Sequence, residues 1–170
     1  MAKLPIVLAP DPVLKMKCEP VASIDDDVRR LLDDMLETMY DAPGIGLSAP
    51  QVAADKRVIV CDVAREDEPP QPYRMVNPEI VWRSDEKVVA EEGCLSIPDH
   101  YAEVSRAREI KVGYLDPDGA ARELAATGLL SACIQHEIDH LDGILFIDHL
   151  TPLKRNIILR KMKKLKRQQA

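Results

Sequence analysis

Several things are missing from this sequence, and each absence narrows what the chain can be. No apolar run approaches the length of a membrane span; residues 58–61 and 144–147 are typical of the longest. No opening segment shows the charged, apolar, small-residue order of a secretory signal, so a cytoplasmic protein is expected. Cysteine is scarce: Cys18, Cys61, Cys94 and Cys133 are widely spaced and form no C-x-x-C pair. Four reduced thiols are therefore expected, not a disulfide framework. No internal repeat or low-complexity linker divides the 170 residues, and this length suits one domain able to bury its own core. With 46% apolar and 31% charged residues the chain is globular, not disordered.

Rare residues cluster. Two of only four histidines, His136 and His140, stand four apart, and four of only seven glycines, Gly44, Gly46, Gly93 and Gly143, fall in three short segments. Around them the secondary structure reads simply. A proline-rich arm precedes a helix opened by Asp25, Asp26 and Asp27, whose charges suit the helix dipole. Val28, Leu31, Leu32, Met35, Leu36 and Met39 follow at helical spacing, and Pro43 and Gly44 end it. Short strands are expected over 57–61, 74–77, 87–90, 103–105 and 109–114, with a turn at 116–119. A second helix is expected from about Leu124 to Leu141, stopped at Gly143. Leu129, Leu130, Ile134, Ile138 and Leu141 should bury it. Thr151 and Pro152 read as the start of a third helix. The expected fold is α+β: short, mostly antiparallel strands around a central helix, with an amino-terminal helix and a basic carboxy-terminal helix.

The central helix carries His136, Glu137, Ile138, Asp139 and His140. Histidines at i and i+4 share one face, about 5–6 Å apart at Cβ, so both rings can reach one ion at about 2.0–2.1 Å. Glu137 lies beside the first ligand, placed to handle the protons of a water at the metal. A third ligand is needed. The only downstream histidine, His149, is too close for a metzincin or thermolysin-like arrangement. Cys133 lies on the same helix face and Cys94 is 42 residues before His136; spacing does not choose between them. Residues 44–51 lack the spacing of a phosphate loop, which excludes a nucleotide site there. Gln51 closes that segment as a neutral donor suited to an oxyanion.

Three segments in this order, residues 44–51 (Gly-Ile-Gly-Leu-Ser-Ala-Pro-Gln), 92–96 (Glu-Gly-Cys-Leu-Ser) and 136–143 (His-Glu-Ile-Asp-His-Leu-Asp-Gly), resemble the three signature motifs of bacterial peptide deformylases. Residues 5–14, 75–80 and 128–135 are similar as well, so the resemblance spans essentially the whole chain. It implies removal of formyl from N-formylmethionyl nascent peptides, with release of formate. It implies Cys94, His136 and His140 as ligands of one divalent ion, Fe2+ in most members, with Zn2+, Ni2+ or Co2+ able to substitute. Glu137 becomes the proton carrier, and Gln51 with the backbone N–H of Leu95 the oxyanion donors. Ile45, Gly46, Gly93, Ala132 and Cys133 become substrate contacts. Two positions depart from the commonest pattern: Ser48 stands where alanine is frequent, and Tyr101 where some members carry arginine.

Charge divides the chain. The formal net charge of −6 weighs against nucleic acid. The last 20 residues, however, hold eight basic groups and no acidic one, leaving −14 on residues 1–150. Leu153, Ile157, Ile158, Met162 and Leu165 can share one face of that helix. The expectation is a catalytic body at 1–150 and a basic amphipathic helix at 151–170 within the same domain. That helix would dock on ribosomal RNA through salt-sensitive phosphate contacts. A monomer with no membrane attachment is expected.

Overall fold

The computed structural model describes residues 2–169. Helix α1 (Asp26–Asp41) begins where the Asp25 carboxylate accepts the Val28 N–H at 2.9 Å, satisfying an otherwise unpaired amide. It ends where the Gly44 N–H returns to the Met39 carbonyl. Among the described residues seven strands follow: β1 (Gly46–Ser48), β2 (Val58–Cys61), β3 (Tyr73–Arg83), β4 (Lys87–Cys94), β5 (Ile97–Ala107), β6 (Glu109–Leu115) and β7 (Ala121–Thr127). Helices α2 (Gly128–Leu141) and α3 (Pro152–Gln169) come after them. The architecture is α+β, as expected.

Strands β1, β2, β3, β6 and β7 form one antiparallel sheet in that order, and β4 pairs with β5 as a separate hairpin. Strand β2 explains how the core is divided. Its side chains alternate between faces. Ile59 and Cys61 join Met75, Val112, Ile134 and Leu141 under α2, while Val58 and Val60 join Leu32, Met35 and Met39 of α1. A strand covered on both faces reads as a continuous apolar run, which is what residues 58–61 are.

The amino-terminal arm is structural. The Val7 N–H donates to the Gln51 carbonyl at 2.7 Å, and the Ala9 N–H to the Ser96 carbonyl at 2.9 Å. It thereby ties two of the motif segments together. A third core holds Leu14, Ile97, Val104, Phe146, Ile147 and Met162, and fastens α3 to the hairpin.

Three expectations need correction. Helix α2 begins at Gly128, not Leu124. Leu124, Ala125 and Ala126 pair instead with Val112, Lys111 and Ile110, and the positive φ of Gly128 (+62°) turns strand into helix. Helix-forming alanines thus yield to strand pairing. Leu129 is exposed at the mouth of a cleft, not buried. On α3, Leu153 and Ile157 also face solvent; Ile158, Leu159, Met162 and Leu165 make the packed face.

Candidate metal centre and active site

Helix α2 brings His136 and His140 one above the other on its buried face, with ring centroids 5.0 Å apart. The β4–β5 hairpin supplies Cys94 near its tip, where the register shifts between Gly93 and Cys94. The Cys94 sulfur lies 3.4 Å from His140 Nε2. One potential ligand atom from each of Cys94, His136 and His140 falls within 4.8 Å of the others. Cys133 is not among them: its Sγ contacts the Ile45 carbonyl at 3.5 Å. The structure thus separates the two cysteines that spacing left equal.

Each histidine is prepared differently. His136 Nδ1 donates to Glu92 Oε1 at 2.9 Å, which leaves Nε2 for the centre. Glu92 is itself held twice by Arg106, at 2.6 Å and 3.0 Å, and Arg106 reaches Asp139 at 2.9 Å. Burial works against a charge on Glu92, but hydrogen bonds from His136 and Arg106 outweigh it and hold the carboxyl at about 2. A ring fixed by an outer carboxylate is the usual support for a metal-binding histidine. For His140, burial and the nearby charges of His136 and Arg106 push the pKa down. The neutral ring keeps the lone pair a ligand needs.

Glu137 stands beside these residues. It is 4% exposed, and its Oε1 has no hydrogen-bond partner among the described residues. Burial raises its pKa to about 7 against the opposing charge of His136. An unpartnered buried carboxylate is costly unless something answers it. One sulfur and two imidazole nitrogens converging beside it form a donor set for a cation with an open position. The residues present therefore fit a divalent metal.

Gln51 sits in a 3-10 turn, Ala49–Val52. Its Oε1 accepts from the Ser48 N–H and the Ser48 hydroxyl, both at 3.0 Å. Its Nε2 therefore points inward, donating to the Ser96 hydroxyl at 3.0 Å and towards Cys94 Sγ at 3.4 Å. Ser48 is thus a positioning group for Gln51.

The site opens onto one cleft of about 640 Å³ between β1, α2 and the hairpin. Of the metal-ligand, catalytic and substrate-contact residues expected from the sequence, all but the buried His140 line it: Ile45, Gly46, Gln51, Gly93, Cys94, Leu95, Ala132, Cys133, His136 and Glu137. Sequence reasoning gave no role to Glu92, Arg106 or Asp139. One signal was available: Glu92 is two residues before Cys94 on a strand, hence on the same side.

Two histidines, a cysteine and a buried carboxylate on the wall of an open cleft fit the class of metal-dependent hydrolases. Comparison narrows it. The sequence model of the Polypeptide deformylase family matches residues 3–156. Peptide deformylase of Mesorhizobium japonicum is 52% identical over 166 residues, covering 98% of this chain and 94% of the relative. That of Brucella suis biovar 1 is 52% identical over 170 residues, covering 100% and 97%. The crystal structure of peptide deformylase from Ehrlichia chaffeensis in complex with actinonin superposes with a TM-score of 0.94 at 43% identity, covering 98% of this chain and 99% of that one. This chain belongs to the polypeptide deformylase family. It is a metal-dependent hydrolase that removes the N-formyl group during protein maturation.

Proposed function

We propose that Cys94, His136 and His140 hold the ion, that Glu137 moves the protons, and that the substrate is an N-formylmethionyl peptide lying in the cleft. The observation that carries this reading is the unpartnered, buried Oε1 of Glu137 beside three converging ligand atoms. A divalent cation there would acidify a water and draw electron density from the formyl oxygen. Glu137 Oε1 accepts a proton as the water oxygen bonds to the formyl carbon. The same proton passes to the departing amine as the C–N bond breaks, leaving formate and a free amino terminus. The oxyanion meets Gln51 Nε2 and the Leu95 N–H; one such donor is worth about 2.7–4 kcal/mol.

The peptide lies extended beside Gly46 of β1 and Gly93 of β4, adding itself to their edges. Its methionine side chain enters the space walled by Ile45, Ala132, Cys133 and His136. The ion is Fe2+ by resemblance to the family; the affinity order favours Zn2+, so cellular supply decides occupancy. The basic side chains of α3, exposed except for Arg155, dock on ribosomal RNA where formylated chains emerge. Residues 1–150 and α3 act as one domain, and the protein works as a cytoplasmic monomer. Among the described residues no helix is long and apolar enough to cross a membrane.

The test is formate release from formyl-Met-Ala-Ser beside the acetylated peptide. Formate from the first and no cleavage of the second is expected. Internal peptide-bond cleavage without formate would overturn the reading.

A further inference from the structure

The catalytic cleft does not end at its rim. Tyr101 is 65% exposed and lines both that cleft and a second groove of about 670 Å³. Its ring lies against Gly93, its partner across the hairpin: a Cβ on Gly93 would fall 2.6 Å from the ring. The second groove runs between β5, from Tyr101 to Ser105, and the start of α3, with Lys154, Ile157 and Ile158 opposite.

Two features mark this groove as a place for extended chain. Strand β5 is an edge: among the described residues its only strand partner is β4, so its other backbone edge has no strand beside it. Free edges pair with added strands. The groove also exposes apolar side chains that the core does not use. Val89 is 59% and Ile157 40% exposed, and both line it together with Tyr101. Charge on the hairpin side suits a basic visitor, while α3 brings Lys154 to the opposite wall. Glu91, on the catalytic cleft, and Glu103, on the groove, stand directly opposite in register. Like charges so placed repel, and a cationic side chain passing over the hairpin would relieve them.

We propose that this groove holds the downstream part of the same formylated peptide, which rests on the function assigned above. The Gly93–Tyr101 pair borders the cleft, and the Val89–Ser105 pair lies four residues along the hairpin, about 13 Å at ~3.3 Å per residue; the chain also crosses over the hairpin from the β4 side to the β5 side, about 10 Å at ~4.8 Å per strand, for a path of about 16 Å or about five residues. With the first two or three peptide residues beside Gly46 and Gly93, roughly residues four to seven reach the groove. The enzyme then reads its substrate beyond the formylmethionyl end. It favours a basic residue near position four and an apolar one near position six. The Arg160 to Arg167 stretch of α3 lies outside the groove.

The test compares formyl-Met-Ala-Ser with a formylated decapeptide sharing those three residues, carrying Lys at position four and Leu at position six. A matched decapeptide carries Glu and Ser there. Wild type should show a KM about tenfold lower for the Lys/Leu peptide than for the other two, about 1.4 kcal/mol, with kcat unchanged. The double variant V89S/I157S alters two exposed positions; it should raise the KM of the Lys/Leu peptide to that of the tripeptide, with tripeptide hydrolysis as the reference. A benzoylphenylalanine at position six should cross-link to β4, β5 or the first two turns of α3. Equal KM for all three peptides, or cross-links elsewhere, overturns the groove assignment while formate release keeps the function. No formate from any peptide overturns both. If V89S/I157S converts a dimer to a monomer by light scattering without changing KM, the groove belongs to a second copy and the assignment falls.

Discussion

Gly46 and Glu137 occupy each other's margins: a Cβ on Gly46 would lie 2.5 Å from Glu137 Oε2 and 2.8 Å from the Cys133 sulfur. Both neighbours are buried, so neither can swing away into solvent. The glycine is required here for space, since Gly46 sits in an ordinary strand pairing with Cys61. A Gly46→Ala variant must displace the carboxylate by several tenths of an ångström or push β1 outward. A displacement of about 1 Å at reacting groups can cost about 10²-fold in rate. We expect turnover of formyl-Met-Ala-Ser to fall by at least about tenfold, with metal content measured by mass spectrometry unchanged.

Glu92 supports the centre from outside. Its carboxylate orients His136 and is locked by Arg106. Glu92→Gln keeps the shape but loses the charge shared by His136 and Arg106. Loss of such an outer partner typically weakens metal binding about 10–100-fold. Competition with a chelator at fixed pH should show a shift of that size, and a thermal unfolding scan of the variant would show whether the fold survived.

The two cysteines of the site should behave oppositely. Cys94→Ser removes one of the three converging donors and should leave the protein with little bound metal after dialysis. Cys133→Ser keeps all three and should hold about one equivalent, with its effect falling on KM for the formylmethionyl end. Metal loss from the Cys133 variant alone would reverse the assignment of ligand and wall.

Gln51 is anchored at its oxygen by Ser48 and offers only its amide nitrogen to the centre. Gln51→Ala should lower kcat by about 10²–10³ through loss of an oxyanion donor, and change KM little. Ser48→Ala removes one of the two anchors; we expect a smaller decrease in kcat, of about two- to fivefold, in the same steady-state assay.

How far the site could be read beforehand depended on where its parts lie along the chain. His136, Glu137 and His140 share one helical turn, so periodicity alone placed them on a common face. Cys94 and Gln51 reach that face from a hairpin and a 3-10 turn far away in sequence, and local spacing could not bring them there; their place came through resemblance to a family. The Glu92–Arg106–Asp139 network depends on three elements meeting, β4, β5 and α2, and leaves no local pattern beyond the strand alternation of Glu92 and Cys94. The start of α2 departs from local propensity for a related reason. Residues 124–127 favour helix when considered alone, and only pairing with β6 makes them a strand. On α3, the apolar residues outnumber those the body can cover, so periodicity predicted a broader packed face than the one formed.

The most direct measurement of the central claim compares wild type with Glu137→Gln at matched metal content, following formate release from formyl-Met-Ala-Ser. Glu137 is not one of the three converging ligands, so the variant should retain about one metal per chain. Its kcat should fall by about 10²–10⁴, the range for removing a positioned acid–base group. Turnover within about twofold of wild type, with the metal retained, would contradict the role of Glu137 and the mechanism built on it.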